Sequence, residues 1–460
     1  MGKMETEALA AQVPVVADVD VLVVGGGPAG IAAALAAAKN GSKTLIVEQN
    51  GYLGGMATAG MVQPIMTAYD REGETQIVKG LFDEFVLEME KMGGAIHPSK
   101  VHQPSPYASY APFGHDHVTP FDPEIFKIVA FRMMRRYGIA LKLHSVFIQP
   151  LMNDKSVRGA IIFNKSGFEA VRSAVTVDCT GDADVCRKSG CRTVKGREKD
   201  GLMQPVSLFF RVRNVDEKKV DEYMRAHPYP EYKHGWADQV RKAKEAGELP
   251  SNKSRMFLVK TLIPGIWACN ASRLHNIDST NADDLTRAQE TLREQVLKLV
   301  GFFNKYIPGF EKVELLDMAN SVGVRESCRI VGEHVLSLDD INNGTVFDDA
   351  VALGSFWIDI HGLKGDDDVF AKPGKSWYQI PYRSLVPLEI DNLLAAGRCL
   401  SATHEAAASA RVMTPCFATG QAAGTAAALA VKNGIPPRKV DGAGLREVLK
   451  AQNVRIETPK

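Results

Sequence analysis

The chain has 460 residues, of which 45% are hydrophobic and 24% charged, and its formal net charge is +1. That length allows two or more domains with a substantial core. The near-neutral charge points to neither nucleic acid nor an anionic membrane as partner, and no apolar run reaches the ~18 residues a membrane span needs.

Seven cysteines (Cys179, Cys186, Cys191, Cys269, Cys328, Cys399 and Cys416) are scattered and form no C-x-x-C pair. An odd, dispersed set argues against a disulfide framework and for a reducing compartment, the cytoplasm. Residues 1–17 read as a loose leader. They lack a basic segment followed by an apolar one, as a signal peptide would have. Met1 to Thr6 fit the M-G-x-x-x-[ST] acylation pattern, which a chance match explains as well.

Residues 18–48 carry the strongest local pattern. The apolar run Val21 to Val24 leads into Gly25-Gly26-Gly27-Pro28-Ala29-Gly30, an alanine-rich helix follows, and a second apolar run ends at Glu48. Gly25, Gly27 and Gly30 fill G-x-G-x-x-G, with Pro28 and Ala29 completing the turn into the helix. In a dinucleotide site the first glycine makes the turn. The second lets the backbone touch a pyrophosphate, and the third lets helix and strand pack closely. The helix N-terminus then faces the phosphates, and Glu48 is spaced to accept hydrogen bonds from a ribose. An ordinary βαβ glycine turn is the bland alternative. This stretch does not distinguish NAD from FAD.

Gly51 to Gly60 form a second glycine-rich loop that lets backbone lie against a ligand. Residues 77–92 predict an amphipathic helix. Residues 95–120, rich in His, Pro, Tyr and Ser, read as a long functional loop or lid. Within and beside it, His97, His102, His115, Asp116 and His117 raise the question of a metal. The pattern places no carboxylate or cysteine to finish a tetrahedral set, so no metal is expected. The histidines can equally line a pocket or tether a cofactor covalently.

Asp122-Pro123 starts a helix that runs to about Tyr137. Strands are expected at 140–150, 159–164 and 170–178, the last leading into Asp178-Cys179-Thr180-Gly181-Asp182. From about Gly201 the texture changes. A strand at 206–215, a charged helix at 231–247, a strand-like run at 257–269 and a long helix at 282–306 suggest a separate α+β domain over 201–375. The first pattern then returns, with a short buried strand at 392–396, Gly397-Arg398, and an alanine- and glycine-rich helix at 416–431.

Together these pieces resemble the FAD-dependent oxidoreductases of the glutathione-reductase-like fold, and more closely a broad bacterial group of FAD-dependent oxidoreductases. The resemblance rests on the Asp20–Gly30 fingerprint with Glu48, Leu53-Gly54-Gly55-Met56-Ala57-Thr58, and Asp178 to Asp182. It continues through Gly323-Val324-Arg325-Glu326-Ser327, Tyr378 to Arg383, and Asn392 to Gly424.

It implies an α/β fold. A discontinuous Rossmann-like FAD-binding domain (18–60, 121–200, 376–435) would carry a lid (61–120), an inserted α+β substrate domain (201–375) and a C-terminal tail (436–460). It implies Gly25, Gly27, Pro28, Ala29 and Gly30 at the pyrophosphate and Glu48 at the ribose. Gly54, Gly55 and Thr58 would lie along the phosphates toward the flavin, and Thr180, Gly181 and Asp182 would close over the adenosine half. Gly397, Arg398 and the helix bearing Gly420 would approach from the other side. That helix would aim its N-terminus at the flavin edge that becomes negative on reduction.

The catalytic candidates are His404, Arg411, His361, Tyr382 and Arg325. His404 follows the Gly397-Arg398 turn and is either a proton carrier or structural. Arg411 binds a substrate anion or pairs with Glu405. Asp359 and His361 share one face of an alternating, strand-type pattern, as an oriented base or a satisfied pair. Arg325 and Arg329, if helical, share a face as an anion site or as surface ion pairs. Tyr382 is a proton donor or a core tyrosine. Cys416, at a helix start, would be acidified if exposed.

No second G-x-G-x-x-G unit is present, which disfavours a dedicated NAD(P)H domain. The expected activity is hydride transfer between a small polar substrate and FAD, with an unidentified electron acceptor or donor. A flavin monooxygenase or reductase fed by NAD(P)H, and a non-catalytic binding or electron-transfer subunit, are the alternatives. A homo-oligomer is left open.

Overall fold

The protein was analysed as a computed structural model, which describes Glu7 and residues 11–111, 116–227, 236–362 and 368–457. The acylation pattern at residues 1–6, His115 and the expected helix start at 231–235 lie outside the described residues.

The N-terminal unit forms as its pattern requires. Strand β1 (Val15–Val24) enters the glycine turn, helix α1 (Pro28–Lys39) follows with proline in its first turn, and β2 (Thr44–Val47) returns beside β1. β1 begins inside the expected leader. Helix α2 (Leu81–Lys91) buries Leu81, Phe82, Phe85, Val86 and Met89 along one stripe. Helix α3 (Pro123–Arg136) is capped as expected, the Asp122 side chain accepting the Glu124 N–H. Strands β3 (Ala140–Lys142), β4 (Val146–Asn153), β5 (Ser156–Asn164) and β6 (Gly167–Asp178) complete this half.

These strands join one seven-stranded sheet in the order β3-β2-β1-β6-β5-β4. β1, β2, β3 and β6 are parallel, whereas β4 and β5 form an antiparallel flap.

Helix α4 (Asp184–Lys188) and strand β7 (Thr193–Lys195) lead into the middle of the chain. There β8 (Phe210–Arg213), α5 (Glu217–Ala226), α6 (Ala237–Glu245), β9 (Phe257–Lys260), β10 (Trp267–Asn270), α7 (Ala282–Tyr306) and β11 (Glu314–Met318) follow in order. The strands make a four-stranded antiparallel sheet, β11-β8-β10-β9. α7 covers it, capped by Asn281 and burying Leu292, Val296, Leu299 and Phe303 against Trp267, Phe210 and Phe310.

Next come β12 (Cys328–Ile330), α8 (Leu338–Asn343), β13 (Ala350–Gly354), β14 (Ile358–Ile360), β15 (Val369–Ala371) and β16 (Tyr378–Pro381). Last are β17 (Leu393–Ala395), α9 (His404–Ala410), α10 (Met413–Asn433) and α11 (Gly442–Ala451). Packing does not break at residue 375. Ile341, Val351, Leu353, Tyr378 and Ile380 share one core with α1, α2 and α10.

β17 pairs in parallel with the second half of β6, so four neighbouring parallel strands end together. Val24 is in register with both Val47 and Asp178, and Asp178 with Ala395. Gly25, Glu48, Cys179 and Ala396 therefore leave the sheet at one level. This C-terminal edge is where open α/β sheets bind ligands.

Helices α1 and α10 lie in near contact over the sheet. A Cβ on Gly420 would overlap the Ala29 carbonyl, and one on Gly424 that of Ala33. Two glycines four apart thus let two alanine-rich helices approach at backbone distance. Among the described residues no helix is long and apolar enough to cross a membrane, and all seven cysteines are free and buried.

Candidate active site

The two glycine loops meet at the strand ends. Gly54 N–H donates to the Gly26 carbonyl at 2.8 Å. Around this contact the glycines divide by role. A Cβ on Gly25 would enter the Cys179 carbonyl, and one on Gly30 the Gly25 carbonyl, so those two hold protein against protein. A Cβ on Gly27 would meet nothing nearer than the Gly55 α-carbon at 4.0 Å. Its missing side chain leaves open a cradle at the start of α1, whose N-cap has no side-chain partner. Backbone N–H groups around an open cradle suit a pyrophosphate.

Glu48 is buried. Its Oε2 accepts the Gly26 N–H at 2.7 Å, and its Oε1 accepts Asn50 N and Nδ2 at 2.8 and 2.7 Å. Burial pushes its pKa up, against the pull of these hydrogen bonds. Oε2 keeps a lone pair that a ribose hydroxyl can fill. Thr58 donates to Leu53 O at 2.9 Å and shapes the second loop. Thr180 donates to buried Asp178 at 2.8 Å and accepts Asp184 N–H at 2.9 Å.

Asp182 accepts from Arg398 at 2.8 Å, from Ser279 at 3.3 Å and from Ser327. It therefore ties the β6 turn to the β17 turn. Gly181 lies under the Arg398 guanidinium, 2.7 Å from where its Cβ would be. Gly420, expected at the cofactor, instead has its bare α-carbon pressed on α1.

Beyond the cradle a chain of buried polar groups begins at α9. His404, 2% exposed, follows Thr403, whose side chain caps the helix by accepting from Ala406 N–H. His404 Nδ1 stands 2.8 Å from Glu326 Oε1. Glu326 also pairs with Arg329 and accepts the Gln204 N–H at 3.2 Å. Burial opposes its ionisation, but the His404 hydrogen bond and the Arg329 charge outweigh it and hold its pKa below the usual carboxylate range. His404 Nε2 is buried without a partner among the described residues.

Gln204 accepts the His361 N–H at 3.3 Å, His361 Nε2 lies 3.3 Å from Asp359, and Asp359 accepts from Arg411 at 3.2 Å. Arg273 bonds both Asp368, at 2.8 Å, and His361 Nδ1, at 2.9 Å. Burial and the Arg325 charge push His361's pKa down, so it is held neutral. Lys253, donating to Asn270 O at 2.7 Å, is driven far below the ordinary lysine range by burial, with Arg273 and Arg325 adding to the effect.

The structure brings together His404, Arg411, His361 and Arg325, and it corrects several sequence readings. Tyr382 is a core residue, its hydroxyl donating to Pro437 O at 2.9 Å. Arg325 and Arg329 share no helix. Arg329 lies in β12, 1% exposed, with its guanidinium on Glu326, Ala402 O and Gly196 O. Arg411 pairs with Asp359, not Glu405. Cys416 is buried, and its thiol is pushed up to about 12.

The 95–120 segment does bring a carboxylate to two of its histidines. His102, Asp116 and His117 offer ligand atoms all within 4.8 Å of one another, while His97 is bonded to Asp83 at 2.9 Å and Ser99 at 2.7 Å. Sequence reasoning missed Gln204, Lys253, Arg273 and Asp368. Nothing in their spacing relates them to His404 or Arg411. Glu326, between two arginines, was the one visible signal.

The parallel sheet, the double glycine loop and the cradle at the strand ends define a dinucleotide-binding α/β enzyme. The chain belongs to the FAD dependent oxidoreductase family, whose model matches residues 20–449. It is an oxidoreductase with FAD as cofactor, acting on a small-molecule substrate.

Three solved structures illustrate the similarity of fold. A geranylgeranyl bacteriochlorophyll reductase-like protein from Thermoplasma acidophilum shares 14% identity over 95% of this chain and 84% of its own, with a TM-score of 0.48. A p-nitrophenol 4-monooxygenase from Pseudomonas putida DLL-E4 shares 12% over 96% and 91%, with a TM-score of 0.48. An L-proline dehydrogenase from P. horikoshii shares 12% over 95% and 99%, with a TM-score of 0.43. No protein of curated function matches the chain.

Proposed function

We propose that the enzyme transfers a hydride between a small polar organic substrate and the flavin N5, with His404 carrying the accompanying proton. The observation behind this reading is the buried His404 Nε2, which has no partner among the described residues although Nδ1 is held. A buried polar atom left unpaired costs about 1–3 kcal/mol, and a substrate group that completes the bond removes that cost. FAD, when bound, supplies a two-electron acceptor. The chain's part is to hold the cofactor, orient the substrate and move one proton.

Gly27, Gly55 and Glu48 are assigned to the cofactor's pyrophosphate and ribose, with Gly25, Gly30, Gly181 and Gly397 shaping the turns around them. Pro28 and Ala29 start the helix behind the cradle, and Thr58, Thr180, Asp182 and Arg398 brace its walls. With Nδ1–H donated to the Glu326 carboxylate, Nε2 is the basic nitrogen. Arg329 and the Gln204 N–H fix Glu326, so the imidazole keeps one orientation.

Anaerobic titration of the purified yellow protein with hydroxy acids, sugars, amino acids and NAD(P)H tests the reading. Bleaching by an organic substrate, slowed in His404→Ala, is the expected result. Bleaching by NAD(P)H alone would replace it with a monooxygenase or reductase. A colourless protein that takes up no FAD would overturn it.

A further inference from the structure

We propose that Arg325 and Arg411 form a seat for a carboxylate group, so that the substrate is a small organic acid. The inference rests on the hydride-transfer site above and names the class of compound it takes.

Three guanidiniums, from Arg273, Arg325 and Arg411, face two carboxylates, Asp359 and Asp368, in the buried cluster beside His404. Asp368 is taken by Arg273 at 2.8 Å. Asp359 is divided between Arg411 and His361, at 3.2 and 3.3 Å. Arg325 is left over. It is 8% exposed, and its one hydrogen bond among the described residues goes to the Pro205 carbonyl, at 2.7 Å. Among the described residues no carboxylate pairs with it, and Asp359 and Asp368 act on it only at longer range.

Arg411 is also incomplete, since its buried Nε has no partner among the described residues. The Arg411 charge acts on Arg325. Burial first and the Arg411 charge second bring Arg325 down to about 9. An uncompensated charge of this kind is among the costliest things a protein interior can hold.

The arrangement suits a carboxylate as counter-ion. Planar guanidiniums present paired N–H groups that match a carboxylate edge. Among Arg273, Arg325, Arg411, Asp359 and Asp368 the surplus is a single positive charge. One carboxylate balances it, whereas a phosphate dianion would overshoot.

Calorimetric titration of the FAD-loaded protein tests the proposal without requiring turnover. The probes are lactate, malonate and benzoate, each beside its neutral amide, with inorganic phosphate as a separate arm. At least one acid should bind, its amide at least about 30-fold more weakly, and both Arg325→Met and Arg411→Met should weaken that acid to a similar degree. The proposal is overturned if no acid binds, if amides or phosphate bind as well as acids, or if both variants bind like the wild type. Should a variant fail to retain FAD, the acid-against-amide comparison on the wild type still decides.

The two readings can fail separately. A neutral compound that bleaches the flavin keeps the hydride reading and overturns the carboxylate seat. Acid binding with no bleaching by any compound does the reverse.

Discussion

His404 Nδ1 and Glu326 Oε1 stand 2.8 Å apart, both side chains 2% exposed, although the two residues come from separate parts of the chain. The contact leaves Nε2 as the imidazole's one open atom. His404→Ala should keep its FAD and slow anaerobic flavin reduction by roughly 10²–10⁴-fold, the usual range for a lost acid–base group. Glu326→Gln should keep the ring in place but remove the charge behind it, changing the pH profile of reduction as well as its rate. Stopped-flow absorbance at the flavin band reads both. Wild-type rates in His404→Ala would remove the residue from the mechanism.

The glycine contrast makes a second prediction. Gly27→Val should fold normally and lose FAD, because its side chain enters the open cradle beside Gly55. Gly30→Val should lose the fold with the cofactor, because its Cβ meets the Gly25 carbonyl, and overpacking there costs about 1–3 kcal/mol or more. Circular dichroism melts beside flavin absorbance separate the two, and a fully loaded Gly27→Val would refute the cradle.

Tyr382→Phe tests a correction. The lost hydrogen bond to Pro437 should lower stability by about 1 kcal/mol and leave the flavin reduction rate within a factor of ~2, far short of a lost catalytic donor. A large fall in rate with unchanged stability would return Tyr382 to the site.

Acid should weaken the polar cluster in two stages. Burial and Arg325 hold His361 below its ordinary range, so the unfolded chain takes up that proton first. Stability therefore falls as pH drops below about 6.5. Asp359 and Asp368 are buried, but His361 and the arginines hold them well below the carboxylate range. Their contribution is complete above about pH 4 and is lost below it. Glu48 and Asp178, pushed up by burial, act in the opposite sense, so the test is a difference. Urea unfolding of wild type minus His361→Gln should show the first stage, and minus Asp368→Asn the second. Parallel pH profiles in all three would remove the effect.

What was legible along the chain was what short-range physics controls. The β1–turn–α1 unit, the Asp122-capped helix and the 282–306 helix each carry their own periodicity, glycines or caps, so their local energies select them without help from distant residues. Sequence also singled out the two glycine loops and Glu48, which meet at the strand ends.

It could not show that Gly420 presses its bare α-carbon on α1, since that depends on what the fold sets against it. Nor could it reveal that Arg411 turns to Asp359, that Tyr382 and Cys416 are buried, or that no carboxylate among the described residues pairs with Arg325. Those outcomes depend on which segments packing brings within hydrogen-bond reach. Desolvation then decides whether each charged or polar group becomes a structural pair or an open site.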